Sequence, residues 1–229
     1  MNARFHFLFI ASIHPSFMRN QWRPIAARLA CAGVLALQIL PLSAGTHDDL
    51  QPNYATRMTS PVDGVDIAPK LRASRSRFPM KVVILNNFYL NDHYYAAVKE
   101  ACFAWVQATK NLPAGGLTLS FEDRDDARGA DVVIRLCNRD QIGGFSGFTD
   151  EYGPYAVIQL AANEVNELPV SDKKLKRVAM HEFGHALGIW GHSSDPNDIM
   201  SLNDETTKPS PADINTLRLA YASRTDSSK

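Results

Sequence analysis

Two histidines and a glutamate stand at a spacing that suits metal-assisted chemistry. The segment His181-Glu182-Phe183-Gly184-His185 has a helical pattern, and histidines four residues apart project from one face of a helix. Both imidazoles can therefore reach one ion, and Glu182 lies beside them, where its carboxylate can take a proton from a metal-bound water. A zinc site that hydrolyses amides has three protein ligands and one open position. The segment thus predicts two ligands of a zinc site and its general base.

A glycine and a third histidine follow at distances that can complete such a site. Gly188 comes three residues after His185, where a helix can end in a left-handed turn that only glycine adopts cheaply. That turn can bring His192 back to the same ion. A pair of histidines satisfied within a helix is the alternative without chemistry, and the presence of Gly188 and His192 weakens it. Glu205 is a rival third ligand, although its surroundings lack a helical pattern.

The string HEFGHALGIWGH, with the SSDPNDIM that follows it, resembles the zinc signature and Met-turn of the metzincin peptidases, and most of all the matrixin branch. The matrixin pattern is HExxHxxGxxH. In this chain the last position of that pattern is Gly191, which has no side chain to donate, and the histidine comes one residue later. The spacing from His192 to Met200 is the matrixin one. One residue is therefore inserted between the helix-ending glycine and the third histidine, and the third ligand is assigned to His192.

This resemblance implies both a fold and a set of roles. The fold is a metzincin-like zincin catalytic domain of the α/β (α+β) class, with a mixed twisted sheet, two long helices and a C-terminal helix. One catalytic Zn²⁺ is the implied cofactor. The implied metal ligands are His181, His185 and His192. Glu182 is the implied general base, and Met200 is the implied apolar floor beneath the ligands.

The resemblance covers roughly residues 80–221, because Trp105, the GADVVI segment and residues 211–221 also resemble matrixin segments in matching order. Three features depart from the family. The sequence has no Pro-Arg-Cys-Gly segment, so it gives no support for latency by a cysteine switch. The histidines of a second, structural zinc are also missing, and Ser201 stands where many relatives have tyrosine.

Residues 1–45 have the composition of an export signal. They hold four Arg and no acidic residue, and an apolar run over 29–42 precedes small residues. This is the pattern of a secretory signal, and the run is shorter than the roughly 18 residues of a membrane-spanning helix. We predict a signal peptide over 1–45, cleaved after Ala44 or Gly45, with no membrane anchor after its removal. Met18 is an alternative start, and a buried core helix is the alternative structure.

The remaining chain divides into three parts. Residues 46–78 carry no sustained pattern and read as a linker or short pro-segment, 79–224 form the catalytic domain, and 225–229 are a tail. Apolar runs predict strands at 81–85, 117–121, 131–136 and 156–160, and a glycine- and aromatic-rich loop at 143–155 with room for an edge strand. Helices are predicted from Asn91 or Asp92 to before Pro113, from Ser171 or Asp172 to about Gly188, and over 211–222.

The charge balance excludes one class of partner. The chain has 24 Lys and Arg against 24 Asp and Glu, and taking away the four Arg of the leader leaves 20 basic and 24 acidic residues, a formal charge of −4. A mildly acidic chain is not expected to bind nucleic acid. We predict a secreted (extracellular or periplasmic) zinc metalloendopeptidase of the EC 3.4.24 type with a protein or peptide substrate. The alternatives are a zinc hydrolase of non-peptide amides and a zinc-binding module without turnover.

Smaller features leave alternatives open. Cys102 and Cys137 remain after the leader, either as a disulfide, which a secreted location permits, or as buried thiols. Three aspartates could suggest a calcium site, but a solvated turn between strands is the preferred interpretation of this segment. They are Asp123, Asp125 and Asp126. Three aromatic residues either line substrate subsites or pack within their loop: Phe145, Phe148 and Tyr155. Nothing in the sequence predicts the oligomeric state.

Overall fold

A computed structural model describes residues 52–61, 66–71, 79–111, 116–124, 127–152, 155–202 and 206–222. These residues all belong to one compact unit, Ser43–Lys229. Several predictions fall outside the described residues: the leader over 1–45, the tail over 225–229, the aspartates at positions 125 and 126, and the rival ligand Glu205. Within the described ranges, no helix has the length and apolar character needed to cross a membrane.

Among the described residues, a mixed five-stranded sheet, a two-stranded sheet and three α-helices make up the fold. The strands and helices are, in chain order, β1 Lys70–Leu71, β2 Met80–Leu85, α1 Asp92–Thr109, β3 Leu119–Arg124, β4 Val132–Cys137, β5 Gly147–Tyr152, β6 Tyr155–Ala161, α2 Asp172–Leu187, β7 Ile189–Trp190 and α3 Pro211–Ala222. The sheet order is β3-β2-β4-β6-β5. The first four strands are parallel and β5 is antiparallel to β6. The predicted fold class is confirmed, and the glycine- and aromatic-rich loop contains the edge strand β5.

Strand β3 differs from its predicted bounds of 117–121. It pairs with β2 in a continuous register from Met80 opposite Leu119 to Leu85 opposite Arg124. The Leu117 backbone N–H instead donates to the Thr109 hydroxyl at the end of α1 (3.1 Å). The length of β3 is therefore set by its partner strand, which the apolar pattern of β3 alone does not show.

The two long helices pack against each other, and polar side chains begin both. The Asn91 side chain accepts a hydrogen bond from the Tyr94 N–H at the start of α1, and Ser171 does the same for Lys174 at the start of α2. Trp105 is fully buried, and its indole N–H donates to the Met180 carbonyl across the helix pair (2.9 Å). The remaining buried side chains of α1 follow a helical spacing: Tyr94, Ala97, Val98, Ala101, Cys102 and Thr109. This packing fixes α2 against α1 along one side.

Cys102 and Cys137 are both free and buried. Cys102 lies in the main core with α1, whereas Cys137 lies in a separate small cluster with Ile142 and Ala161. Burial raises the pKa of both thiols, so both stay protonated at neutral pH. Of the two alternatives from the sequence, the buried thiols are the ones present.

Part of the predicted linker or pro-segment is packed on the domain. Tyr54 is buried, its hydroxyl donates to Asp213 Oδ1 (2.7 Å), and its backbone N–H donates to the Thr216 hydroxyl (3.1 Å). Strand β1 pairs antiparallel with β7, with Lys70 opposite Trp190. Residues 52–61 and 66–71 are therefore a packed segment, unlike an extended linker. Packing of the described residues of this segment was not predicted, since its sequence has no period.

Replacing Tyr54 by phenylalanine is expected to lower the free energy of unfolding by about 1.5–3 kcal/mol, because the buried Asp213 carboxylate loses a hydrogen-bond donor. Urea unfolding of the full chain measures the loss. Tyr94→Phe is the matched control, since its hydroxyl donates to a neutral carbonyl, that of Val170 (2.8 Å), and should cost about 0.5–1.5 kcal/mol. A smaller loss of unfolding free energy for Tyr54→Phe than for Tyr94→Phe would contradict a stabilising role of the hydrogen bond from Tyr54 to Asp213.

Candidate metal centre

Three buried histidines converge at the end of α2. His181 and His185 project from one face of the helix, and Gly188 ends the helix in a left-handed conformation (φ 118°). The chain then runs through β7 and brings in His192. One ligand atom of each histidine lies within 4.8 Å of the others, and the three residues are 4–5 % exposed. The structure therefore brings together all three histidines that the sequence singled out, including the one displaced by the inserted residue.

Backbone carbonyls orient two of the imidazoles. His181 Nδ1 lies 2.9 Å from the Ile199 carbonyl oxygen, and His185 Nδ1 lies 2.7 Å from that of Ile189. Because a carbonyl oxygen only accepts, each Nδ1 carries the proton and each Nε2 keeps a lone pair for a metal. In this tautomer the Nε2 atoms of both histidines are able to bind a metal.

Burial also keeps these imidazoles neutral. Burial, together with the positive charge that His192 would carry, lowers the pKa of His185 to about 3. Burial likewise lowers the pKa of His181 well below its ordinary value, with His185 and His192 adding to the effect. Neutral imidazole is the form that binds a metal. A buried set of three imidazole donors fits Zn²⁺, which in catalytic sites has three protein ligands and one open position.

Met200 packs against the helix segment that carries His181 and His185. It is fully buried, and its sulfur packs against α2 at Gly184, between His181 and His185. A Cβ atom at Gly184 would also lie 3.0 Å from the Trp105 ring. The second variable position of the HExxH motif is therefore glycine because the methionine and the tryptophan both approach the helix backbone there.

The turn that carries Met200 is held by a buried carboxylate. Asp213 Oδ2 accepts hydrogen bonds from the Ile199 and Ser210 backbone N–H groups (both 2.8 Å), and Oδ1 accepts from the Met200 N–H (3.3 Å) and the Tyr54 hydroxyl. Burial raises the pKa of Asp213, and the donated hydrogen bonds oppose that rise. Since the Ile199 carbonyl contacts His181 Nδ1, Asp213 holds the backbone that orients this histidine.

Glu182 is held against the edge strand. Its Oε2 accepts a hydrogen bond from the Thr149 hydroxyl (2.6 Å). Gly147, two residues earlier on the same face of β5, leaves space for the Glu182 side chain, because a Cβ there would lie 2.8 Å from Oε1. Burial raises the pKa of Glu182, and the Thr149 hydrogen bond and the Arg177 charge lower it. The net result is a rise of this pKa from 4.5 to about 7. A carboxyl group with a pKa near neutrality can both take and return a proton.

The aromatic residues of this region pack together. Phe145 and Phe148 stack with ring centroids 6.3 Å apart. Because side chains alternate along a strand, Phe148 points away from the face on which Gly147 and Thr149 meet α2. Tyr155 pairs with Tyr152 at the far end of the β5–β6 hairpin. Phe145 and Phe148 thus pack against each other, and a role of these residues or of Tyr155 in substrate subsites stays a prediction.

Sequence reasoning did not identify Thr149, Asp213 or the carbonyls of Ile189 and Ile199 as parts of the site. The carbonyl groups leave no mark in side-chain identity. The alternation of side chains along a strand places Gly147 and Thr149 on one face. That spacing points to Glu182 only when β5 is known to face α2.

Comparison with protein families decides the relationship of this chain to known proteins. The matrixin family model of the M10 peptidases matches residues 83–222, which begin within β2 and include the other strands of the five-stranded sheet, all three helices and the histidine cluster. The chain belongs to the matrixin family. The resemblance inferred from the zinc signature is thereby confirmed. No curated protein matches the sequence. Membership in this matrixin family supports a metallopeptidase that uses zinc and acts on protein or peptide substrates.

Proposed function

We propose that this matrixin is a secreted zinc-dependent endopeptidase in which His181, His185 and His192 hold one zinc and Glu182 is the general base. The convergence of three buried histidines beside a buried glutamate carries the proposal. Zinc bound there would polarise the scissile carbonyl and supply hydroxide near neutral pH. Met200 is proposed as the apolar floor of this site.

The protein's own part in the reaction is proton transfer by Glu182. Thr149 occupies Oε2, so Oε1 is the oxygen that takes the proton of the attacking water. The protonated carboxyl then returns that proton to the nitrogen of the leaving amine, which needs no second acid. Enclosure of Glu182 between α2 and β5 holds its carboxylate in one orientation, so little reorganisation is needed when the substrate arrives.

The edge strand supports an extended peptide as the substrate. Strand β5 is the last strand of the sheet, and it packs against α2 at Glu182. A peptide added to the open side of such a strand gains backbone hydrogen bonds over several residues. This favours an endopeptidase over a hydrolase of small amides, which could not use those bonds.

The test of the function compares substrates on the purified chain. We expect about one zinc per chain and cleavage of an unfolded protein and of peptides several residues long, with small non-peptide amides hydrolysed far more slowly. Equal turnover of small amides would support the amide hydrolase instead. Bound zinc without turnover of either substrate class would support the binding module.

Export is the remaining part of the proposal and has its own test. The basic, apolar and small-residue pattern over 1–45 supports it. Expression of the full chain in a secreting host should release a protein whose first residue follows Ala44 or Gly45. Retention of residues 29–42 in the released protein would contradict a cleaved signal.

Thr149 is expected to position the general base, and a pair of substitutions tests this. Thr149→Val removes the hydroxyl at nearly constant volume and should lower kcat about 10–100-fold, the equivalent of a hydrogen bond to a charged group. Thr149→Ser keeps the hydroxyl and should restore most of kcat. Zinc content and KM should stay near wild type in both variants. Equal kcat for the valine and serine variants would show that the hydroxyl does not orient Glu182.

A further inference from the structure

The segment before the catalytic sheet runs past the third histidine. We call residues 52–61 and 66–71 the N-terminal strap. Thr59 and His192 form an antiparallel bridge, in which the Thr59 N–H donates to the His192 carbonyl (2.9 Å) and the His192 N–H donates to the Thr59 carbonyl (3.2 Å). Further along the strap, β1 pairs with β7, placing Leu71 opposite Ile189. The strap therefore pairs with both ends of the short stretch over 189–192.

The strap contacts the stretch in which one residue is inserted. A Cβ atom at Gly191 would come within 2.7 Å of the Pro69 Cβ, 2.8 Å of the Met58 Cβ and 3.0 Å of the Met58 sulfur. Both parts of the strap thus press on the backbone of Gly191, and any side chain there would push them away. The extra residue before His192 and its lack of a side chain both fit the presence of the strap.

The opposite side of His192 is held by the Met-turn. The Ser193 N–H donates to the Met200 carbonyl (3.0 Å), and Ser193 bridges Ser201. The strap reaches this side as well, since the Tyr54 hydroxyl and the Ile199 N–H both donate to Asp213. The backbone at His192 is therefore held between the strap and the Met-turn, and the strap is anchored on both.

We propose that the N-terminal strap is a built-in positioning element of the third metal ligand, so that tight zinc binding requires the strap to remain paired with residues 189–192. The inference rests on the proposed assignment of His192 as a ligand. The insertion lengthens the path from the helix-ending Gly188 to His192, and a longer path has more conformations unless something restricts it. The pairing with Thr59 and β1 supplies that restriction.

The strap differs from an inhibitory pro-segment in the effect of its removal. Removal of an inhibitory segment would increase the peptidase activity. Loss of the strap should instead release His192 and lower the affinity for zinc, so proteolysis of residues 52–71 would switch the site off. The strap is then a retained part of the mature enzyme.

Three substitutions in the full chain test the strap. Thr59→Pro removes the N–H that donates to His192, and Gly191→Ala forces the strap away from 189–192. Thr59→Val is the matched control, because it keeps the backbone N–H and a β-branched side chain of similar size at this exposed position. It gives up only the long contact from the Thr59 hydroxyl to the His192 carbonyl (3.5 Å). Circular dichroism checks the fold of each variant. Competition with a chelator gives the apparent zinc Kd, and the rate of trypsin cleavage after Arg57 reports release of the strap.

We expect Thr59→Pro and Gly191→Ala to raise the zinc Kd about 10–100-fold, the usual cost of losing support behind a ligand, and to speed cleavage after Arg57. Thr59→Val should match wild type in both measurements. Wild-type zinc affinity in the first two variants, with the strap open to trypsin, would overturn the proposal, as would equal weakening by valine and proline. If the wild-type chain itself binds no zinc, the proposed function fails together with this inference. If the wild-type chain binds zinc and the two strap variants bind it with the same affinity, the inference alone fails.

Discussion

Replacing Glu182 by glutamine is expected to leave one zinc bound per chain while lowering kcat for peptide cleavage by about 10²–10⁴-fold, the range that general acid–base groups contribute. The amide has nearly the same shape as the carboxylate and can keep a hydrogen bond with Thr149, but it cannot take a proton from water. Metal analysis and cleavage of an extended fluorogenic peptide measure the two quantities on the same sample.

A surface glutamate supplies the control for that substitution. Glu100 forms an ion pair with Lys176 on the outside of α1 and α2 (2.7 Å), and exposed pairs contribute little. Glu100→Gln should therefore cleave at the wild-type rate. Cleavage by the Glu182 variant within a few fold of the wild type would contradict the role of Glu182 as the base.

Loss of the His192 imidazole is expected to cost the chain its zinc. Two histidines on one helix turn remain in His192→Ala, and a catalytic zinc site needs three protein ligands. The apparent zinc Kd should therefore rise by more than the 10–100-fold typical of changes behind a ligand. Competition with a chelator of known affinity measures it, and unfolding of the metal-free wild type and variant shows whether the fold itself is intact.

Glu205, the rival third ligand from the sequence, supplies the comparison. Glu205→Ala should bind zinc as the wild type does. The opposite pattern, with zinc retained after loss of His192 and released after loss of Glu205, would assign the third ligand to the carboxylate. The convergence of His192 with His181 and His185 supports the first outcome.

Features set by local chemistry were predictable from the sequence. Helix α2 is capped by Ser171 before its first residue and by the left-handed Gly188 after its last, and its two histidines share a face because of helical geometry. Strands β2, β4 and β6 follow from short β-branched runs. These signals lie within a few residues of the element they define.

Features set by distant contacts were not predictable. Tyr54 pairs with Asp213, 159 residues further along the chain, and no pattern near Tyr54 indicates that it is buried. The Thr149 contact with Glu182 likewise depends on the register of β5 against β6 and on how α2 crosses the sheet. Such contacts follow from the assembled fold, since each partner alone looks like an ordinary polar or aromatic residue.

The departure from the family spacing depends on both local sequence and distant contacts. The sequence indicates that one residue is inserted before His192, and the reason for glycine at that point lies in the strap, whose Met58 and Pro69 leave no space for a side chain at Gly191. An insertion that would otherwise loosen a ligand is thus accompanied by a segment that restrains it.

Stepwise addition of zinc to the metal-free chain tests the central claim most directly. Cleavage of an extended peptide should be absent without metal, rise in proportion to added zinc and level off at about one zinc per chain. A chain that holds one zinc at the three histidines and still does not cleave, or one that cleaves equally well without zinc, would contradict a zinc-dependent peptidase.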